Sequence, residues 1–221
     1  MKKISKVEAI VIVLLILIVG KFFINIIFCN GGTETSYTAG EAVSKIESAD
    51  EIQIKKNYRS LFIKDYYVVV DGECVATISG KFFKILGDEF VMESSNGETI
   101  LSEKEEKLHL NRQAQFFDSA GNETYRYESK FFSILNNSTL YDMDHNKDLD
   151  SKQQLSLPRY YLINNNNDEE ISKISKDNIW FDNYTINTNN IENKTILTMI
   201  CAINDAVATP KGNSSKSKSS K

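Results

Sequence analysis

The chain has 221 residues, 41% of them apolar and 25% charged, with two prolines, three cysteines and a formal net charge of −4. This length holds one domain of ordinary size plus appendages, and the composition excludes a disordered protein or a Pro-rich linker. Cys29, Cys74 and Cys201 share no metal-like spacing and are too few for a disulfide framework.

The charge is unevenly placed. Residues 1–29 carry Lys2, Lys3, Lys6 and Lys21 against Glu8, a net of +3, and the tail from Lys211 carries four lysines, a net of +4. The residues between them therefore hold a net of −11. An acidic body repels nucleic acid at long range, so no nucleic-acid partner is expected, and an anionic ligand would need a local basic patch. Asparagine is abundant, as in Asn164–Asn167, and the Asn-x-Ser/Thr matches at Asn122, Asn137, Asn183 and Asn193 are expected by chance in such a chain.

Residues 1–8 form a basic N-terminus. Residues 9–29 read AIVIVLLILIVGKFFINIIFC, long enough to cross a hydrocarbon core as a helix. Lys21 and Asn25 interrupt the second half, where a lysine can extend its ammonium to the interface. The run ends in Ile26-Ile27-Phe28 rather than in the small residues of a cleaved export signal, which favours an uncleaved anchor and gives Cys29 no lipoprotein context. Lysines precede the segment and none follows before Lys45. The positive-inside bias then puts the N-terminus in the cytoplasm and the body outside, in a single-pass protein of the cell membrane.

Residues 30–50 read as a polar spacer, with a short helix over Gly40–Ala49. From Glu51 to about Asn190 short β-rich runs alternate with turn signals. Asp71-Gly72 and Asn96-Gly97 are strong hairpin dipeptides, and Ala120-Gly121-Asn122 and the Asn164–Asp168 run mark two more turns. The runs repeat: Lys81-Phe82-Phe83-x-Ile85-Leu86 matches Lys130-Phe131-Phe132-x-Ile134-Leu135, and Lys176 with Trp180-Phe181 gives a fainter third copy. Meander units of this kind can close into an antiparallel barrel without exposed edges.

Residues 192–208, ENKTILTMICAINDAVA, break the pattern. Ile196, Leu197, Met199, Ile200, Cys201, Ala202, Ile203, Ala206 and Val207 cover nearly every face of a helix. Such a helix is buried on all sides, and this one is too short to span a bilayer. It is expected to thread the barrel, with a second membrane span as the alternative. Residues 209–221 form a low-complexity basic tail.

From about Glu51 to Ala208 the sequence resembles the tubby C-terminal-like superfamily, in its LURP-one-related branch of plant and bacterial proteins, with phospholipid scramblases more distant. The resemblance rests on the Lys-Phe-Phe meander units, on Ile179-Trp180-Phe181-x-x-Tyr184-x-Ile186, and on the terminal ILTMICAINDAVA. It implies a mainly β fold, a closed antiparallel barrel of about a dozen strands around a buried C-terminal helix. Residues 51–208 would form this domain, with the central helix at 192–208.

The resemblance also implies anionic head groups held by surface cations. The nearest candidates are Lys55, Lys56, Arg59 and Lys64, interleaved with Tyr58, where a phosphate could be held. The plainer reading is a solvated strand edge. Asp142, Asp144, Asn146, Asp148 and Asp150 fall at alternate positions like the oxygen ligands of a calcium loop. Lys147 stands in place of the turn glycine and Gln153 in place of the closing glutamate, so an acidic surface loop is the competing reading.

His109 and His145 have no evident nucleophile beside them, and no G-x-S-x-G, Gly-rich phosphate loop or H-E-x-x-H occurs. The expectation is a membrane-tethered, non-enzymatic binding domain. Its partners are the lipid bilayer through residues 9–29 and a phospholipid head group or a protein, and it needs no cofactor. The alternatives are a calcium-responsive surface protein using residues 142–153 and an unrecognised hydrolase.

Overall fold

Alternation of apolar and polar residues gives each strand one face that must leave water. In the computed structural model, which describes residues 35–57, 64–81, 89–106, 112–129, 137–154, 156, 160–177, 183–188 and 191–208, those faces all turn toward one axis. The strands are β1 (Glu51–Lys56), β2 (Lys64–Val70), β3 (Glu73–Lys81), β4 (Glu89–Ser94), β5 (Thr99–Glu106), β6 (Arg112–Asp118), β7 (Glu123–Ser129), β8 (Asn137–Tyr141), β9 (Lys147–Gln154), β10 (Tyr160–Asn164), β11 (Glu170–Lys176) and β12 (Asn183–Asn187). Each pairs antiparallel with its neighbours in sequence, and β1 pairs with β12, so the twelve strands form a closed up-and-down barrel. At the seam Ile54 faces Tyr184 of β12 on one side and Val68 of β2 on the other. Closure leaves no unpaired edge.

Two helices complete the domain: α1 (Ala39–Ser48) and α2 (Lys194–Ala208). About eight strands enclose a space that inward side chains can fill; twelve enclose more. The helix α2 occupies the difference. Every residue from Lys194 to Ala206 is buried, so the wall surrounds the helix on all faces, as expected of a helix apolar on nearly every face. A gap of about 10 Å3 lies between Leu140, Leu149 and Ile163 of the wall and Leu197 and Ile200 of the helix.

Residues 35–50 are more than the expected spacer. Tyr37, Ala42, Ile46 and Ala49 belong to the core. A capping box starts α1: Thr38 Oγ1 accepts from Glu41 N (3.3 Å) and Glu41 Oε2 accepts from Thr38 N (2.8 Å). Glu47, the next-to-last residue of α1, then caps α2. Its carboxylate accepts from the backbone N–H of Lys194 (3.0 Å) and Thr195 (2.9 Å), which satisfies donors that open every helix and meets the positive end of its dipole. Ala49 O accepts from Lys194 Nζ (2.6 Å) and Thr188 Oγ1 (2.5 Å), tying the end of α1 to the start of α2 and to the residue after β12. At the rim of β3, Glu73 receives Tyr37 OH and Lys45 Nζ.

Turn chemistry sets the register. Asp71 (φ 52°) and Gly72 (φ 80°) both have positive φ, the geometry that matches strand twist in a two-residue hairpin. The turns at 118–122, 142–146 and 165–169 share one design. The first residue, Asp118, Asp142 or Asn165, accepts with its side-chain oxygen from the N–H groups of the third and fifth residues. The fourth, Gly121, His145 or Asp168, has positive φ. A fourth turn, 94–98, uses Ser94 and Gly97 in the same places. Asn122 Nδ2 and Asn146 Nδ2 also donate to Asp118 and Asp142, each at 3.0 Å. These side-chain bonds, and then the backbone ones, hold both carboxyls below the usual carboxylate range.

Among the described residues no helix is long and apolar enough to cross a membrane, and residues 9–29 lie outside them. The repeated Phe-Phe-x-Ile-Leu segments also fall outside the described residues, except for Lys81 at the end of β3.

Two predictions follow from this packing. A Cβ on Gly80 would lie 2.6 Å from the ring of Phe90, which is fully buried and has nowhere to go. Gly80→Ala therefore lowers stability by about 1–3 kcal/mol, measured by urea unfolding. The depressed carboxyls of Asp118 and Asp142 contribute stability above their unfolded value of about pH 3.9, and it is lost as pH falls through the lower folded value. Asp142→Asn keeps the turn, since Asn165 does the same work in its own, and makes the acid limb of the melting temperature against pH shallower.

Candidate functional site

Among the described residues, one cluster of polar groups inside the barrel gathers around the second half of α2. Asp205 is 2% exposed. A carboxylate that deep needs hydrogen bonds and a countercharge. Tyr66 OH donates to its Oδ2 at 2.8 Å and Tyr184 OH to its Oδ1 at 2.7 Å, while Lys56 Nζ stands 3.6 Å from Oδ2. Beside it Asn204 Oδ1 accepts from Tyr127 OH at 2.6 Å. Burial, and then the charge of Asp205, push the Tyr184 hydroxyl and the Cys201 thiol well above their ordinary values. Cys201 is thus a protonated, enclosed thiol, unsuited to nucleophilic work. These groups fix the rotation and depth of α2 within the wall.

This arrangement divides the basic cluster expected for an anionic ligand. Lys55 and Lys56 are consecutive in β1 and so take opposite faces. Lys56 turns inward to Asp205, and Lys55 stays on the outer face. Lys64 opens β2, with its side chain outside the described residues, and Arg59 lies outside them altogether.

The acidic segment is divided as well. Asp142, Asp144 and Asn146 belong to the β8–β9 turn, where the Asp142 carboxylate is filled by Asp144 N, Asn146 N and Asn146 Nδ2. Asp148 and Asp150 belong to β9. Asp150 accepts from Thr139 Oγ1 at 2.7 Å and pairs with Lys147 at 3.4 Å. Desolvation pushes the Asp148 carboxyl up. Among the described residues no three His, Cys, Asp or Glu side chains converge on a metal position. The structure places this alternation on a hairpin turn running into a strand.

The larger hollow is on the outside. A half-open pocket of about 210 Å3 lies over β6, β7 and the start of the β8–β9 turn. Ala114 and Tyr127, whose side chains point inward, form its floor. Its walls come from the residues that alternate with them, in two cross-strand rows. Gln115 of β6 faces Arg126 of β7, which faces Tyr141 of β8. Gln113 faces Glu128 in the next row. His145, held at φ 61° by the turn, stands at the edge.

The walls are braced. Gln113 Nε2 donates to Glu128 Oε1 at 2.9 Å. Arg126 Nε donates to Glu123 Oε1 at 2.6 Å, and Gln115 Nε2 to Glu123 Oε2 at 3.4 Å. Only His145 had been noted in the sequence. Gln-x-Gln and Arg-x-Glu on successive strands are the available signal, but any solvated barrel face carries similar pairs. Their meeting depends on the register of three strands.

Comparison with protein-family models, curated proteins and solved structures returned no match.

The interior cluster makes a double-mutant prediction. Lys56→Met leaves a buried carboxylate without its countercharge and lowers stability by about 1–3 kcal/mol. Adding Asp205→Asn to that variant recovers part of the loss, a coupling that urea midpoints of the four proteins will read.

Proposed function

We propose that this chain is a membrane-tethered binding domain without catalytic activity, anchored by residues 9–29 and presenting its ligand site on the outer face of the barrel. The observation that carries the reading is the filled interior. The lumen is occupied by α2, buried from Lys194 to Ala206, whereas the outer face carries a pocket of about 210 Å3. Support for a binding role comes from how the pocket is built, with polar side chains braced between the adjacent strands β6 and β7.

The anchor is supported by the length and apolarity of residues 9–29 and by the lysines before them. The proposed kinship with tubby-like domains is supported by the twelve-strand barrel and its C-terminal helix. A fold of this kind leaves the ligand open, because function resides in the site.

The test is fractionation combined with assay. Full-length protein should sediment with membranes and resist extraction by high salt and alkaline carbonate. The chain begun at residue 30 should be released, and protease added to intact cells should reach the barrel. Retention of the shortened chain would remove the anchor. Turnover of phosphoester or glycoside substrates at enzyme-like rates would remove the binding reading.

A further inference from the structure

The pocket on β6–β8 has a composition that narrows its ligand. The side chains around it are flat and polar: two amides, a guanidinium, a carboxylate, a phenol and an imidazole. Formal charge nearly cancels between Arg126 and Glu128. Arg126 is already bonded to Glu123, and an anion entering here would meet the carboxylate of Glu128 in the lining. A cation would find Arg126 and no second carboxylate in the lining. An apolar ligand would strip water from all six groups without replacing their hydrogen bonds.

A neutral molecule with several adjacent hydroxyls meets none of these objections. Each hydroxyl both donates and accepts. Gln113 and Gln115 offer amides that do the same, Glu128 offers a carboxylate that accepts, and Arg126 offers a fork of donors. Neighbouring hydroxyls on a six-membered ring present paired donors and acceptors, which flat bidentate groups can meet two at a time. Tyr141 closes the row with an aromatic ring, an apolar surface for the C–H face of such a molecule. The cross-strand bond from Gln113 to Glu128 and the bond from Arg126 to Glu123 within β7 hold these groups before a ligand arrives, which reduces the ordering cost of binding. The volume, about 210 Å3, is below the range of about 300–1,000 Å3 that encloses drug-sized ligands, and suits one ring.

We propose that the outer-face pocket formed by Gln113, Gln115, Arg126, Glu128, Tyr141 and His145 binds a neutral pyranose unit of a carbohydrate. The inference rests on the binding-domain reading and gives its site a ligand class. A half-open site for one ring binds weakly, so the natural ligand is a chain or surface that repeats the unit.

The test is saturation-transfer NMR on full-length protein in detergent micelles. The probes are the methyl α-glycosides of glucose, galactose and mannose, with N-acetylglucosamine, each at millimolar concentration. At least one should receive saturation, strongest on the ring protons of one face. Tyr141→Ala and Glu128→Gln should each weaken its binding about tenfold, the loss of one good contact. Gln53→Ala, on the outer face of β1 and remote from β7 around the barrel, should leave it unchanged, with thermal melts confirming that all variants fold.

Absence of transfer from all four probes to the folded protein overturns the carbohydrate assignment and leaves the fractionation result standing. Transfer that survives both pocket variants overturns the location. Displacement by inorganic phosphate overturns the neutral ligand. Release of methanol from the methyl glycosides would instead overturn the non-enzymatic reading while keeping a sugar in the pocket.

Discussion

A sheet of twelve strands closed on itself encloses more space than its own side chains can fill, and proteins do not tolerate empty cores. Most of this molecule follows from that constraint. The filler must be apolar on nearly every face, with each buried polar group partnered, which sets α2 apart from a surface helix. It must also be held against rotation and sliding, since apolar contacts alone are not directional. The polar groups at its two ends supply the direction. Glu47 holds the first turn, and Tyr66, Tyr184, Lys56 and Tyr127 hold Asp205 and Asn204 near the other end. Because Glu47 rides on α1, the segment before the barrel becomes part of its core.

Much of this fold was legible in the sequence, for reasons tied to particular residues. Asp71-Gly72 and Asn96-Gly97 announce turns because few other pairs accept positive φ so readily. The apolar run from Ile196 to Ala206 announces a buried helix because no face is left for water. The number of strands was implied by resemblance alone. Residues 35–50 were harder. Their apolar contribution is small and scattered, and the value of Glu47 lies in a contact with Lys194 and Thr195, far along the chain.

The site was less legible, and the two expected clusters show why. Lys55 and Lys56 are adjacent in sequence, but a strand sends neighbours to opposite faces. Asp142, Asp144 and Asn146 present oxygen ligands at calcium-like intervals, but the same spacing serves a turn whose first carboxylate accepts from the third and fifth N–H groups. A metal loop and a tight hairpin both need side-chain oxygens close to backbone. Only the direction of those oxygens tells them apart. The outer pocket fails in the other direction: Gln115, Arg126 and Tyr141 are far apart in sequence and acquire a relation only through two strand registers.

The position of α2 along the chain bears on how the molecule is made. The strand that closes the barrel, β12, and the helix that fills it come after all other elements, and β1 waits for β12 as its partner. During synthesis eleven strands would emerge with neither seam nor filling, their inner faces wet and β1 unpaired along one edge. Contacts as long-range as Lys56 to Asp205 form slowly and late. The nascent chain is therefore a sheet seeking a partner until Ala208 has left the ribosome, and in that interval it depends on chaperones far more than the finished barrel does.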